Sequence, residues 1–145
     1  LQKNVIIQII GKQKYPEGHE DQQELLASGK IYERNGVFYV YYKEAGSKTT
    51  DLGEVTTLLT IEEGAVTLNR KGAVDLRQEF RVGALHRSTY TTCYGDIWLS
   101  IMPHQVECDL TGTGGSISLE YDLFVDDKLV SYNVLSLNVK EDTPQ

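Results

Sequence analysis

Along most of this chain apolar and polar side chains alternate one for one, in short runs broken by Gly, Pro, Asn and Asp. Ile117, Leu119, Tyr121, Leu123 and Val125 make the clearest such run. Alternation with a period of two places one set of side chains on each face of a strand, and no window sustains the 3.6-residue stripe of a helix. The pattern predicts strands over 5–13, 23–34, 37–42, 54–61, 66–71, 74–82, 85–93 and 97–102. A short strand through Val106, Cys108 and Leu110 follows, then strands over 117–125 and 129–140. Asn35-Gly36 is the strongest hairpin signal, because both residues tolerate the positive φ of a type I′ turn. Glu63-Gly64 and Asp126-Asp127 mark further hairpins, Thr111 to Gly115 a hairpin loop, and Ala45 to Gly53 a polar loop. Pro103 should end or bend its strand. The apolar phase slips between Val134 and Leu135, which predicts a β-bulge there. The segment Val37 to Tyr42 is apolar on both faces and should be covered on both sides or lie at an interface.

About ten short-linked strands describe a meander. Left open, it would expose two long edges, and closing it removes them. The expected fold is therefore all-β, an antiparallel up-and-down barrel, with residues 1–145 forming one domain. At 145 residues the chain can bury a core without metal or disulfide staples.

Charge narrows the partners. The formal net charge is −7, which weighs against nucleic acid or an anionic membrane as the main target. The apolar run Val5 to Ile10 is interrupted by Gln8 and is too short for a signal-peptide core. Two isolated cysteines, Cys93 and Cys108, read as reduced thiols, so a cytoplasmic location is expected.

One constellation stands out. A two-residue turn at Gly83-Ala84 and a three-residue connection at Tyr94-Gly95-Asp96 would put Arg77, Glu79, Arg81, His86, Tyr90, Trp98 and Met102 on one face. Val74, Leu76, Phe80, Val82, Leu85, Ile97, Leu99 and Ile101 would form the core face behind it. The first face mixes Trp, Tyr, Met and Arg, the types enriched at binding hot spots. It is also the most basic stretch, with Arg70, Lys71, Arg77, Arg81 and Arg87 against Asp75 and Glu79. As a function, Arg77, Arg81, His86, Tyr90 and Trp98 would bind a second copy or an anionic ligand; as plain structure, they fit a solvated ladder of cross-strand Arg–Glu pairs.

Other groups offer less. His104, Glu107 and Cys108 match no closed zinc spacing. His19-Glu20-Asp21 would at most hold a divalent cation weakly. Cys93 is expected on the core face as an inert thiol. No motif brings a nucleophile, a base and an oxyanion donor together, so no catalytic residues, metal or cofactor are assigned.

The block Phe80, Gly83, Tyr90-Thr91-Thr92-Cys93-Tyr94-Gly95, then Gly115, Leu119-Glu120-Tyr121-Asp122-Leu123 and Asn133, resembles the YwiB-like family of small bacterial proteins. Val5-Ile6-Ile7, Gly11, the Tyr32 to Gly36 hairpin and Thr56-Thr57 fit as well. The resemblance covers nearly the whole chain, with Cys93 standing where the family pattern has Pro. It implies a calycin-type, lipocalin-like barrel and no established catalytic residues. The expected function is a non-enzymatic binding or interaction protein that self-associates as a homodimer. The alternative is a carrier holding a small apolar or anionic ligand in its lumen.

Overall fold

The structure, a computed structural model, describes residues 2–44 and 54–143. Its strands are β1 (Gln2–Lys14), β2 (Glu20–Arg34), β3 (Val37–Glu44), β4 (Val55–Glu62) and β5 (Ala65–Gly72). After these come β6 (Leu76–Phe80), β7 (His86–Thr92), β8 (Gly95–Thr111), β9 (Gly114–Val125) and β10 (Lys128–Glu141). Every ladder is antiparallel. The strand order β6-β5-β4-β3-β2-β1-β10-β9-β8-β7 joins the first strand to the last. The expected barrel forms, and its break falls between β6 and β7. The polar loop predicted over 45–53 lies outside the described residues.

Turn chemistry sets the hairpins. Asn35 and Gly36 have φ of 54° and 80°, and Asp126 and Asp127 have 49° and 64°. Both central residues of each turn are thus left-handed, as a type I′ turn requires. The two strands predicted on either side of Pro103 are one strand, β8. The register shifts between Pro103 and Gln105, so the proline sits at a bulge that bends the ladder without ending it. The bulge predicted at Val134–Leu135 occurs instead between Leu129 and Ser131.

Inward rows from all sides meet in one core. Val5, Ile7, Ile31, Val40, Leu59, Val66, Phe80, Ile101, Ile117, Leu119, Leu137 and Val139 are buried there. Phe80 packs edge-on against Tyr121 of β9 across the interior, with centroids 5.0 Å apart, so the waist is filled with side chains. Polar groups line the rest: Ser131 Oγ donates to Asn133 Oδ1 at 2.7 Å, and Arg70 pairs with Glu44 at 2.9 Å. Burial, then the Glu44 carboxylate, pushes Tyr42 up to about 12. On the outward face of β3, Tyr39 stacks on Tyr32 of β2 at 4.7 Å, which covers part of its apolar surface.

The seam between β6 and β7 is sparsely closed. Asp75 and Thr91 exchange two backbone hydrogen bonds of 2.9 Å. Gly83 N–H donates to the Pro103 carbonyl, also at 2.9 Å. Between them, among the described residues, the Glu79 N–H donates to Nδ1 of His86 at 3.3 Å.

Candidate functional site

The β7–β8 turn decides which side chains meet. Thr92 lies opposite Gly95, so Cys93-Tyr94 is a two-residue turn in place of the three-residue connection expected. That change slips the register by an odd number of residues, which turns a strand's side chains to the other face. Tyr90 is opposite Ile97, and His86 is opposite the fully buried Ile101. Both therefore face the barrel interior, and the single face drawn from the sequence is split.

Arg77, Arg81 and Trp98 remain outside. Continuing the register from the Asp75–Thr91 bridge puts Arg77 opposite Thr89, which is itself opposite Trp98. Arg77 and Trp98 thus share an outer row across the seam. The Arg81 side chain forms an ion pair with Glu79 at 3.7 Å. On the other face, Leu76, Phe80 and Ile101 are buried as expected, but Val82 and Leu85 are exposed in the β6–β7 loop. Cys93 is exposed in its turn, not on the core face.

Two surface features hold chemistry. At one end of the barrel Trp98 stands 64% exposed, and Leu129 of β10, on the far side of β9 from β8, is 50% exposed. A notch of about 250 Å³ adjoins the tryptophan, lined by Arg87, Trp98, Leu99, Ser100, Asp126 and Asp127. Asp126 N–H donates to the Trp98 carbonyl at 3.1 Å, which fixes the β9–β10 turn against β8. Arg87 reaches Asp127 at 3.9 Å, with both side chains largely exposed.

At the opposite end, the β4–β5 hairpin faces β8 across the barrel mouth. A cleft of about 380 Å³ lies between them, lined by Phe38, Ile61, Ala65, Val106, Cys108 and Leu110, with Glu62 and Glu63 among its walls. Cys108 is exposed, yet the burial of part of its surface at the cleft pushes the thiol up, the direction opposite to activation. Cys93 and Cys108 are separated by most of β8, about 40 Å of extended chain. That spacing puts an intrachain disulfide out of reach. Cys93 and His86 stand at opposite ends of β7, about 20 Å apart by the same rise.

His104 Nε2 and Asp122 Oδ2 are 2.8 Å apart, and His19 pairs with Asp21 at 3.2 Å. Among the described residues no three His, Cys, Asp or Glu side chains converge as a metal site would require. Among the described residues no helix is long and apolar enough to cross a membrane, which says nothing about strands.

A match over residues 7–137, running from within β1 to within β10, is to a family described as a domain of unknown function, DUF1934. The chain belongs to this family. An uncharacterized beta-barrel protein, YwiB of Bacillus subtilis (strain 168), is 33% identical over 113 residues, 77% of this chain and 76% of that one. The crystal structure of the ywiB protein from Bacillus subtilis matches with a TM-score of 0.87 at 25% identity, covering 98% of this chain and 94% of that one. The DUF1934 barrel and the family resemblance read from the sequence are thus shown, and the family carries no assigned activity.

The notch and the cleft of this DUF1934 chain were not visible in its sequence. The cleft joins residues from strands far apart in order, such as Phe38 with Cys108, and only the closed register brings them together. The notch depends on the register that sets β8 against β7 and the β9–β10 turn. Glu62 and Glu63, beside the hairpin glycine, were legible as a turn and not as a wall.

Proposed function

We propose that this barrel is a non-enzymatic interaction protein of the cytoplasm that pairs with a second copy of itself through the outer face of β7 to β10. The observation carrying this reading is that one patch presents an exposed anchor, Trp98, beside a socket of about 250 Å³. A two-fold interface uses the same surface on both copies, so each must offer what it receives. This patch does so in shape and in charge: Trp98 can enter the second copy's notch while Arg87 meets that copy's Asp126-Asp127 pair. Leu129 adds apolar area at the edge. Arg77 extends the patch across the seam, whereas His86 and Tyr90 act from within, shaping the strand that carries it.

The separation of Cys93 from His86 supports the non-enzymatic part, and the two free thiols support the cytoplasm. The ten-strand meander fits a calycin-type barrel. Its filled waist leaves a carried ligand only the ends of the lumen.

Sedimentation velocity tests the pairing. The wild-type chain should sediment as a dimer at micromolar concentration. Trp98→Ala should weaken association about 30-fold or more, equivalent to a hot-spot loss of about 2 kcal/mol, with far-UV circular dichroism unchanged. A wild-type monomer, or a Trp98→Ala dimer of equal strength, overturns the proposal.

A further inference from the structure

We infer that the cleft between the β4–β5 hairpin and β8 is a binding site for a small amphipathic cation, an apolar body ending in an ammonium group. The cleft lies at the other end of the barrel from Trp98, so this inference stands apart from self-association.

Its walls are inward-facing side chains that have run out of core. Phe38, Val106 and Leu110 are each only partly buried and pack against the central cluster on one side. Their other side lines the cleft, together with Ile61 and Ala65 of the hairpin. A volume of about 380 Å³ lies at the small end of ligand pockets. Below it the waist is closed by Phe80, Tyr121 and Ile101, so the occupant must be short and must keep its polar end at the mouth.

The charge of the walls selects that polar end. Among the described residues, Glu62 and Glu63 are the charged residues lining the cleft, and no Lys, Arg or His joins them. On the same barrel end Glu107 and Asp109 of β8 add further acid within about a Debye length. A carboxylate or phosphate head would meet only like charge here, in a chain of net charge −7. An ammonium head would sit at the acidic rim that Glu62 and Glu63 form while its alkyl body covers apolar wall. Of the two ligand chemistries expected from the sequence, these walls favour the apolar one over the anionic one.

Cys108 supplies a reporter inside the site. Cys93, exposed at the far end of β8, is replaced by Ser so that alkylation by iodoacetamide reports on Cys108 alone. Octyltrimethylammonium, octanol and octanoate, which share a tail, are then added below their micelle concentrations. The ammonium compound should slow Cys108 alkylation at least several-fold and saturably, octanol less, and octanoate hardly at all. Glu62→Gln with Glu63→Gln should reduce the ammonium compound to the level of octanol. Ala65→Trp, which fills the cleft from the hairpin side, should abolish saturable binding of the ammonium compound by calorimetry while circular dichroism confirms the fold. Equal protection by octanoate, no protection by any of the three, or undiminished binding to Ala65→Trp overturns the inference.

Discussion

Where a sheet edge lacks a partner strand, a backbone amide can turn to a side chain, and the Glu79 N–H does so at Nδ1 of His86. Accepting at Nδ1 fixes the neutral imidazole with its proton on Nε2. Burial lowers the His86 pKa below the ordinary 6.5; the Glu79 carboxylate pulls it back and the Arg77 guanidinium pushes it further down. Ile101, opposite on β8, adds no charge. A depressed histidine pKa means that the fold disfavours the proton. Its stabilising contribution is present above the unfolded value of 6.5 and is lost as the pH falls through the lower folded value. Protonation also removes the acceptor, releasing an edge of β6. His86→Gln offers an acceptor that does not titrate. The difference in urea midpoint between wild type and His86→Gln should therefore shift in favour of the variant as the pH is lowered from neutral to about 5. A difference that stays constant across that range removes His86 from the seam's energetics.

Two glycines on the inward face of the β1–β2 ribbon show how position within an element decides what a side chain costs. A methyl group on Gly29 would strike the Tyr41 carbonyl oxygen, with Ile7 Cδ1 at 2.8 Å and Tyr42 Cβ at 3.0 Å. The gap at Gly29 is filled by the large neighbour Tyr42, directly across in β3. At Gly11 a methyl group would meet nothing within 4 Å. Gly29→Ala should therefore destabilise by about 1–3 kcal/mol, through overpacking against backbone. Gly11→Ala should change stability by about 0.5 kcal/mol or less. Paired urea titrations check both. Element identity was legible because alternation and turn chemistry are local: Asn35-Gly36 and Asp126-Asp127 have the left-handed φ values their turns demand. The candidate site was less legible for a reason equally local. Nothing in Thr92-Cys93-Tyr94-Gly95-Asp96 distinguishes a two-residue turn from a three-residue one. That choice, together with a one-residue slip between β6 and β7 that sets Asp75 opposite Thr91, sends Tyr90 and His86 inward while Arg77 and Trp98 stay outside.

At the scale of the whole molecule, closure through β1 and β10 leaves the ring to be completed between two strands that follow each other in sequence. The β1–β2 register runs unbroken from Gln2 to Lys14, and β1 also pairs with β10 from Val5 onward. The β6–β7 seam rests on the Asp75–Thr91 exchange, the His86 contact and the Gly83–Pro103 bond. Local opening follows the density of hydrogen bonds and buried contacts, so this seam should be the first part of the barrel to open. Backbone amides of Arg77, Glu79, Arg87 and Thr89 should exchange with deuterium well before those of β1, β9 and β10. Thr91 sharpens the test. Its N–H points across the seam to the Asp75 carbonyl, so its opposition to Asp96 of β8 does not depend on that donor. Thr91→Pro removes one of the two bridging bonds, and the substitution falls at a strand edge, where proline is tolerated. Exchange in β6 should accelerate in this variant while protection in β1, β9 and β10 holds. If β6 remains protected and the loss spreads instead through β8 and β9, opening is global and the barrel does not yield first at its seam.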